Sequence, residues 1–134
     1  MHKTIFLLMI TAAICDDVEQ IFIGANESLK MKNYKDAIQS YESLLSMGYY
    51  NSDLYYNLGN AFNKLGKYGE AAHNYSKAIK LKPEYAEAFY HRGILKDKLG
   101  HKKEGKIDYK KAEQLDITKR EINEIKERIR NFIT

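Results

Sequence analysis

A 34-residue period runs through most of the chain. At this interval one column of positions holds Tyr41, Tyr75 and Tyr109, and another holds Ala25, Gly59 and Gly93. Aromatic and small residues therefore return at fixed offsets and at helical spacing. Two packed antiparallel helices require this pattern, because a small side chain lets the helices approach while an aromatic side chain fills the adjacent gap. Each 34-residue unit is therefore predicted to be a helical hairpin.

The composition is consistent with one folded array of such hairpins. The chain has 134 residues, 30% charged and 44% hydrophobic, with a single proline, which is enough for one domain and is neither disordered nor fibrous in character. One cysteine excludes an internal disulfide, and the four histidines do not have the spacing of a structural zinc site. An ordinary all-α domain is expected.

The middle unit, residues 52–85, resembles a tetratricopeptide repeat (TPR). The family pattern is W-x2-L-G-x2-Y, then A-x3-F, then P. In this chain the pattern falls on Tyr55, Leu58, Gly59, Phe62, Ala71, Tyr75, Ala78 and Pro83. The resemblance implies a right-handed α-solenoid of three TPR hairpins, at residues 18–51, 52–85 and 86–119, which acts as a non-enzymatic scaffold for protein–protein interaction.

The two outer repeats depart from the family pattern. The third has Arg92 in place of the leucine, Lys96 in place of the aromatic residue and Ile117 in place of the proline. The first departs at Gly24 and Ser28. These departures are interpreted as degraded end repeats, because a terminal repeat lacks a neighbour on one face.

Residues 118–134 are predicted to form a separate capping helix. Thr118 and Glu121 have the spacing of a capping box, which starts a helix. The apolar residues that follow form one stripe at 3-4-3 spacing, expected to cover the open face of the last repeat: Ile122, Ile125, Ile129 and Phe132. Seven helices are expected in all, at about 18–31, 34–47, 52–65, 68–81, 86–99, 102–115 and 119–132.

The first fifteen residues have the pattern of a signal peptide. Lys3 precedes an apolar run from Thr4 to Ile14, and Cys15 follows the run directly. A helix of eleven residues is roughly 16 Å long, too short for a hydrocarbon core of about 30 Å. Removal of residues 1–15 is expected; the alternatives are lipidation of Cys15, as in bacterial lipoproteins, and a retained helix packed on the first repeat.

The location of the protein follows from that segment. Export to a bacterial envelope, as a periplasmic or lipid-anchored protein, is expected if residues 1–15 form a signal. A cytoplasmic adaptor, or an accessory subunit of an enzyme complex, is the alternative if they are retained. The run from Leu54 to Phe62 also resembles the TPR proteins of bacterial aerotolerance operons, which are envelope-associated.

The second half of the chain is basic. Residues 68–134 contain 16 Lys and Arg against 11 Asp and Glu. Lys102, Lys103, Lys106 and Lys110 lie on one side of a predicted helix, but acidic residues interleave and no stacking pattern accompanies them. Nucleic acid is therefore not expected as a partner, and contact with anionic lipid headgroups is the lesser hypothesis.

No catalytic or cofactor-binding pattern is present in the sequence. The glycines lie at turns and packing positions rather than in a phosphate-binding loop. His73 and His91 have no neighbouring serine or cysteine nucleophile in the sequence. An enzymatic function and a cofactor are therefore not expected.

The resemblance implies a concave groove lined by the first helix of each hairpin. Matching the family's groove positions to this sequence gives Phe22, Asn26 and Lys30 in the first repeat, Asp53, Tyr56, Asn57, Asn60, Asn63 and Lys64 in the second, and Glu87, Tyr90, His91, Ile94, Asp97 and Lys98 in the third.

Three of these side chains, those of Asn57, Asn60 and Lys64, lie 3 and 4 residues apart and share one helical stripe. An asparagine amide both donates and accepts, so the stripe is expected to bind the main chain of an extended peptide. Tyr56 and Tyr90 would add contact area. The alternative is that these asparagines are only solvated. If they bind, replacing Asn57 and Asn60 with alanine weakens partner capture without unfolding the protein.

One specialised partner is not expected. Family members that hold the carboxylate tail of heat-shock chaperones use two Lys, one Arg and two Asn. Asn26 and Asn57 match, but Phe22, Glu87 and His91 occupy cationic positions. A further alternative is self-association, since a solenoid with weak end repeats can stack end to end.

Overall fold

The computed structural model describes residues 2–134, which form six helices and no strand within that range. The helices are α1 (His2–Lys30), α2 (Tyr34–Ser46), α3 (Ser52–Lys64), α4 (Tyr68–Leu81), α5 (Ala86–Lys98) and α6 (Lys102–Ile133). They pack as three successive hairpins, which confirms the predicted all-α solenoid of three TPR hairpins.

Close approach of the two helices of a hairpin depends on glycine. A Cβ built on Gly59 of α3 would lie 2.8 Å from the ring of Tyr75 in α4. The equivalent Gly93 of α5 would place a Cβ 2.9 Å from the ring of Tyr109. The small and aromatic columns of the 34-residue period are therefore contact partners, as the sequence predicted.

The turns within the hairpins also follow the period. Gly66 and Gly100 have φ values of 76° and 88°, in the left-handed region where glycine costs least. Lys32 lies 34 residues before Gly66 and has φ 63°. The next backbone N–H, on Asn33, donates to the carbonyl of Ser28 at 2.8 Å, which closes the helix end in the usual way.

The core lies between the hairpins. The tyrosines Tyr41 and Tyr75 and the leucines Leu44, Leu54 and Leu95 are fully buried. In α1, packing against this core begins at Val18, where the first repeat was predicted to begin.

The predicted separate capping helix was wrong, because residues 118–133 continue α6 without a break. The segment joining them to the third repeat contains neither glycine nor proline, so nothing interrupts the helix. The hydroxyl of Thr118 donates to the Gln114 carbonyl at 2.9 Å instead of capping a helix start. Ile122 and Ile125 are exposed, so the expected stripe does not cover the last repeat. Six helices therefore replace the expected seven.

The first helix is also longer than predicted. It begins at His2 rather than near residue 18, and every residue from His2 to Asp17 is exposed. Within residues 2–134, none of the helices combines the length and the apolar character needed to cross a bilayer.

The interpretation of the third repeat as degraded needs correction. Arg92 Nε and Nη2 each donate to the carboxylate of Asp108 at 2.8 Å, and Lys96 Nζ lies 3.0 Å from the same group. Asp108 is only 2% exposed. Two of the three departures from the family pattern, Arg92 and Lys96, are therefore ion-pair partners of the buried Asp108, and Ile117 takes no part in this network.

Candidate functional site

Each repeat links its two helices through a tyrosine hydroxyl. Tyr41 and Tyr75 donate to the side-chain oxygens of Asn26 and Asn60, both at 2.6 Å. Burial raises the pKa of Tyr41 to about 12 and raises the pKa of Tyr75 further, so both hydroxyls stay protonated donors.

The third repeat makes the same link with a different acceptor. The position equivalent to Asn60 is Ile94, which cannot accept, and Tyr109 donates instead to Asp97 Oδ2 at 2.8 Å. Tyr85 likewise donates to Asp53 Oδ1 at 2.8 Å.

These bonds alter the expected role of the groove asparagines. The oxygen of Asn26 also accepts from Asn57 Nδ2 at 3.0 Å, so Asn26 joins the first repeat to the second. The acceptor oxygens of Asn26 and Asn60 are thus committed to the fold. Replacing Asn60 with alanine is therefore expected to destabilise the protein, which contradicts the sequence-based expectation of an unperturbed fold.

An aromatic cluster lies where the second and third repeats meet. The ring of Tyr56 lies 5.7 Å from Tyr75, 4.9 Å from Tyr85 and 5.9 Å from His91, between ring centroids. His91 stacks on Tyr75 at an interplanar angle of 23°. Burial in this cluster, with the nearby Lys64 charge, lowers the pKa of His91. Its imidazole is therefore neutral at neutral pH and can donate or accept a hydrogen bond.

A groove lies beside this cluster, between α5 and the middle of α6. Its volume is about 730 Å³, within the range of sites that hold a ligand or a short peptide segment. We call it the C-terminal groove. It is lined by Ala86, Glu87, Tyr90 and His91 of α5, and by Tyr109, Ala112, Glu113, Asp116, Lys119, Arg120 and Asn123 of α6.

The C-terminal groove is the open end of the solenoid. Tyr90 is the 34-residue equivalent of Tyr56, and it contacts Tyr109 with ring centroids 5.7 Å apart, as Tyr56 contacts Tyr75. In the second repeat a following helix then covers Tyr56 with Tyr85 and His91. Nothing within residues 2–134 covers Tyr90 in this way, and it is 51% exposed.

The groove carries charges of both signs. Glu87, Glu113 and Asp116 supply carboxylates, and Lys119 and Arg120 supply cations toward the end of α6. Its apolar floor is formed by aromatic rings and small side chains. Such a surface suits a segment with apolar side chains and charged flanks.

Three of the sequence-predicted site residues, Glu87, Tyr90 and His91, meet in the C-terminal groove. The α6 residues opposite them were missed. The signal that could have found them is the lack of glycine and proline between the third repeat and residue 118, which predicts a continuous α6 and hence a second wall.

The other predicted site residues do not join this groove. Phe22 packs at the opposite end of the solenoid, with its ring centroid 6.2 Å from Tyr41 and from Tyr49. There it lines a smaller groove of about 530 Å³ with Cys15, which is exposed. The remaining members are half-buried or exposed along the first helices: Lys30, Asn63, Lys64, Ile94 and Lys98.

The repeated hairpins and the open groove at one end define the chain as an α-solenoid repeat protein. Two family models match it: one described as "TPR repeat" over residues 59–100, and one described as "Tetratricopeptide repeat" over residues 86–116. The chain belongs to the tetratricopeptide repeat family.

Solved structures share the fold. The crystal structure of MamA has a TM-score of 0.73 and 23% identity, covering 78% of this chain and 61% of that one. PcrH, in complex with the chaperone binding region of PopB, has a TM-score of 0.72 and 19% identity, covering 77% and 83%. The second TPR of Spaghetti (RPAP3), bound to the HSP90 peptide SRMEEVD, has a TM-score of 0.69 and 30% identity, covering 73% and 85%.

The chain thus spans about three fifths of the length of the MamA structure. No sequence among the curated proteins matches it.

Proposed function

We propose that this protein is a non-enzymatic interaction scaffold, which binds a segment of a partner protein in the C-terminal groove. The observation that carries the proposal is the position of Tyr90. Its ring is half exposed in the C-terminal groove, without the ring contacts from a following helix that its equivalent Tyr56 makes with Tyr85 and His91. An incomplete packing surface of this kind is stabilised by a segment that completes it.

The groove indicates what the segment presents. The segment should present apolar side chains to the apolar part of the groove, which is formed by Tyr90, Tyr109 and Ala112. These contacts are expected to contribute most of the binding energy. The carboxylates of Glu113 and Asp116 favour a cation on one flank of the segment. The peptide and protein complexes of RPAP3 and PcrH support this mode of binding on this fold.

The tail of a heat-shock chaperone is not the segment we propose. Holding a C-terminal carboxylate takes cations at the groove positions filled here by Phe22, Glu87 and His91. Phe22 packs against Tyr41, and His91 is enclosed by tyrosine rings with a lowered pKa. Neither supplies a positive charge at neutral pH, and the charge of Glu87 repels a carboxylate.

The proposal is tested by photo-crosslinking in the cells that make the protein. Benzoylphenylalanine at Asn123, in the groove, is expected to give an adduct with one partner, mapped to a defined peptide by mass spectrometry. The same amino acid at Lys77, outside the C-terminal groove, is the control. Equal adducts from both positions would contradict the proposed site.

A pair of tyrosine variants gives a second, matched test. Tyr90→Arg removes the exposed ring of the groove, and Tyr50→Arg removes a ring of similar exposure, 60% against 51%, far from the groove. The adduct at position 123 should be lost with the first variant and kept with the second, while circular dichroism shows both folded. An adduct that survives Tyr90→Arg argues against the groove.

We further propose that the scaffold acts after export, in an envelope assembly. Support comes from the helical, exposed segment from His2 to Asp17, which contains the apolar run and the exposed Cys15. The intact mass of the protein from its own cells tests this. A mass that starts at Asp16, or at an acylated Cys15, is expected; a full-length mass would instead favour a cytoplasmic adaptor or an accessory subunit.

A further inference from the structure

The end of α6 carries a coiled-coil pattern that the hairpins do not use. Six residues at 3-4-3-4-3 spacing, all apolar except Thr118, fall at alternating a and d positions of a heptad: Leu115, Thr118, Ile122, Ile125, Ile129 and Phe132. A strict a and d stripe of this kind is the narrow seam by which one helix packs along another.

The structure leaves the stripe uncovered beyond Ile122. Before that point Leu115 is half-buried, and Leu115, Thr118 and Ile122 border the segment between α4 and α5. From Asp116 onward every residue of α6 is exposed, and Ile125 and Phe132 are 54% and 92% exposed. The apolar side chains form one continuous surface rather than scattered contacts. An exposed apolar stripe in a water-soluble helix marks an interaction surface.

The charges beside the stripe indicate which partner fits. In a parallel pair of such helices, each g position faces the following e position of the other chain. Here Glu121 is at g and Lys126 is at the following e, so two copies in parallel make this opposite-charge contact twice. In the antiparallel pairing that centres on Ile122 and Ile125, Lys119 and Lys126 at e would repel each other, while Glu121 and Arg128 at g would attract each other. These contacts offset one another, so the charges favour the parallel pairing.

We propose that residues 115–133 of α6 associate in parallel with the same segment of a second copy of this chain. The seam buries the isoleucines, and the bond between Glu121 and Lys126 sets the orientation. Isoleucine at both a and d favours bundles of three or four chains over two, and any of these parallel bundles satisfies the proposal. The inference does not depend on the proposed function.

The arrangement leaves the C-terminal groove open. Asp116, Arg120 and Asn123 of the groove occupy b and f positions, away from the a and d seam, and Lys119 at e borders both. Copies joined through α6 therefore present their grooves side by side, which raises the avidity for a partner with repeated segments.

The mass of the purified protein is measured first, by light scattering over a range of concentrations. We expect at least twice the chain mass. Ile125→Asp, on the seam, should give the monomer mass. Ile117→Asp replaces an exposed isoleucine of the same helix, 39% exposed, at a c position, and should leave the mass unchanged. A monomeric parent protein, or equal effects of the two variants, would overturn the proposal.

Two further variants test the orientation. In a Cys15→Ser background, Ile125→Cys should form a disulfide between identical residues of two copies under mild oxidation, which requires parallel chains in register. Lys126→Glu should weaken association about tenfold, since each interchain pair becomes repulsive, and Glu121→Lys added to it should restore association. Stronger association of Lys126→Glu alone would show antiparallel chains and overturn the proposal.

Discussion

The guanidinium of Arg92 forms a bidentate pair with the carboxylate of Asp108, in which Nε and Nη2 each donate a hydrogen bond of 2.8 Å. Arg92 Nη1 also donates to Ser76 of the preceding repeat at 3.1 Å. The same positions of the middle repeat hold Leu58 and Asn74. The third repeat therefore has an ion pair where the middle repeat has Leu58 and Asn74, and the bond from Arg92 to Ser76 links it to the preceding repeat.

Removal of Asp108 is predicted to destabilise the protein strongly. Asp108→Ala leaves the charges of Arg92 and Lys96 without their partner in a half-buried site, which costs about 3–5 kcal/mol. Glu127→Ala breaks an exposed pair with Arg130 and should cost about 0.5 kcal/mol or less. Urea unfolding of both variants measures the difference. A small effect of Asp108→Ala would show that water reaches the network.

Stability is predicted to fall in acid because of the same residue. Burial alone opposes ionisation of Asp108, but hydrogen bonds from Arg92 and Lys96 hold its pKa below the ordinary value. The unfolded chain therefore binds the proton more readily, so the stabilisation is present above the unfolded pKa of about 3.9 and is lost as the pH falls through the lower folded pKa. Urea midpoints between pH 7 and pH 2.5 should show this loss, and a shallower profile is expected in Asp108→Asn.

Two glycine substitutions are predicted to have opposite effects. Gly59→Ala drives a methyl group into the ring of Tyr75 and should cost about 1–3 kcal/mol by overpacking. Gly24→Ala lies within α1 with no atom near its new Cβ and should stabilise by about 0.5–1 kcal/mol through helix propensity. Thermal unfolding distinguishes the signs. Equal changes in the unfolding temperature of the two variants would mean that α3 and α4 can move apart at Gly59 without loss of stability.

Lys32→Gly is predicted to stabilise the protein. Lys32 holds a left-handed φ of 63°, which costs an L-residue roughly 1–2 kcal/mol and costs glycine much less. A gain of about 1 kcal/mol is expected in chemical unfolding. Lys110→Gly, at an exposed position in the interior of α6, is the control and should cost about 1 kcal/mol. Destabilisation by both variants would contradict the assigned turn.

The fold could be predicted because its signals are local. The hairpins and their bends follow from the 34-residue period, in which Gly59 and Tyr75 recur with equivalent residues. The continuous α6 was missed because the end-helix prediction relied on Thr118 and Glu121 as a start signal. A capping box starts a helix only where the preceding residues are not helical, and here Lys111 and Gln114 already belong to α6.

The site was harder to predict, because it depends on which way polar side chains point. The period shows that Asn26 and Asn60 share the groove stripe, but each also precedes its tyrosine by 15 residues. Only the packed hairpin shows that the tyrosine takes the amide oxygen. Likewise the exchange of Phe62 for Lys96 resembles degradation until Asp108 is placed beside it.

Asn60→Ala is predicted to reduce stability rather than only partner binding. The variant removes the acceptor of the Tyr75 hydroxyl, which is buried, and an unpaired buried hydroxyl costs about 1–3 kcal/mol. Asn131→Ala removes an exposed amide of α6, and should change stability by about 0.5 kcal/mol or less. Adding Tyr75→Phe to Asn60→Ala should recover part of the loss, because the unpaired hydroxyl is then absent. If Asn60→Ala unfolds at the same urea concentration as Asn131→Ala, the tyrosine bond does not stabilise the hairpin, and Asn60 is again available as a contact for a bound peptide.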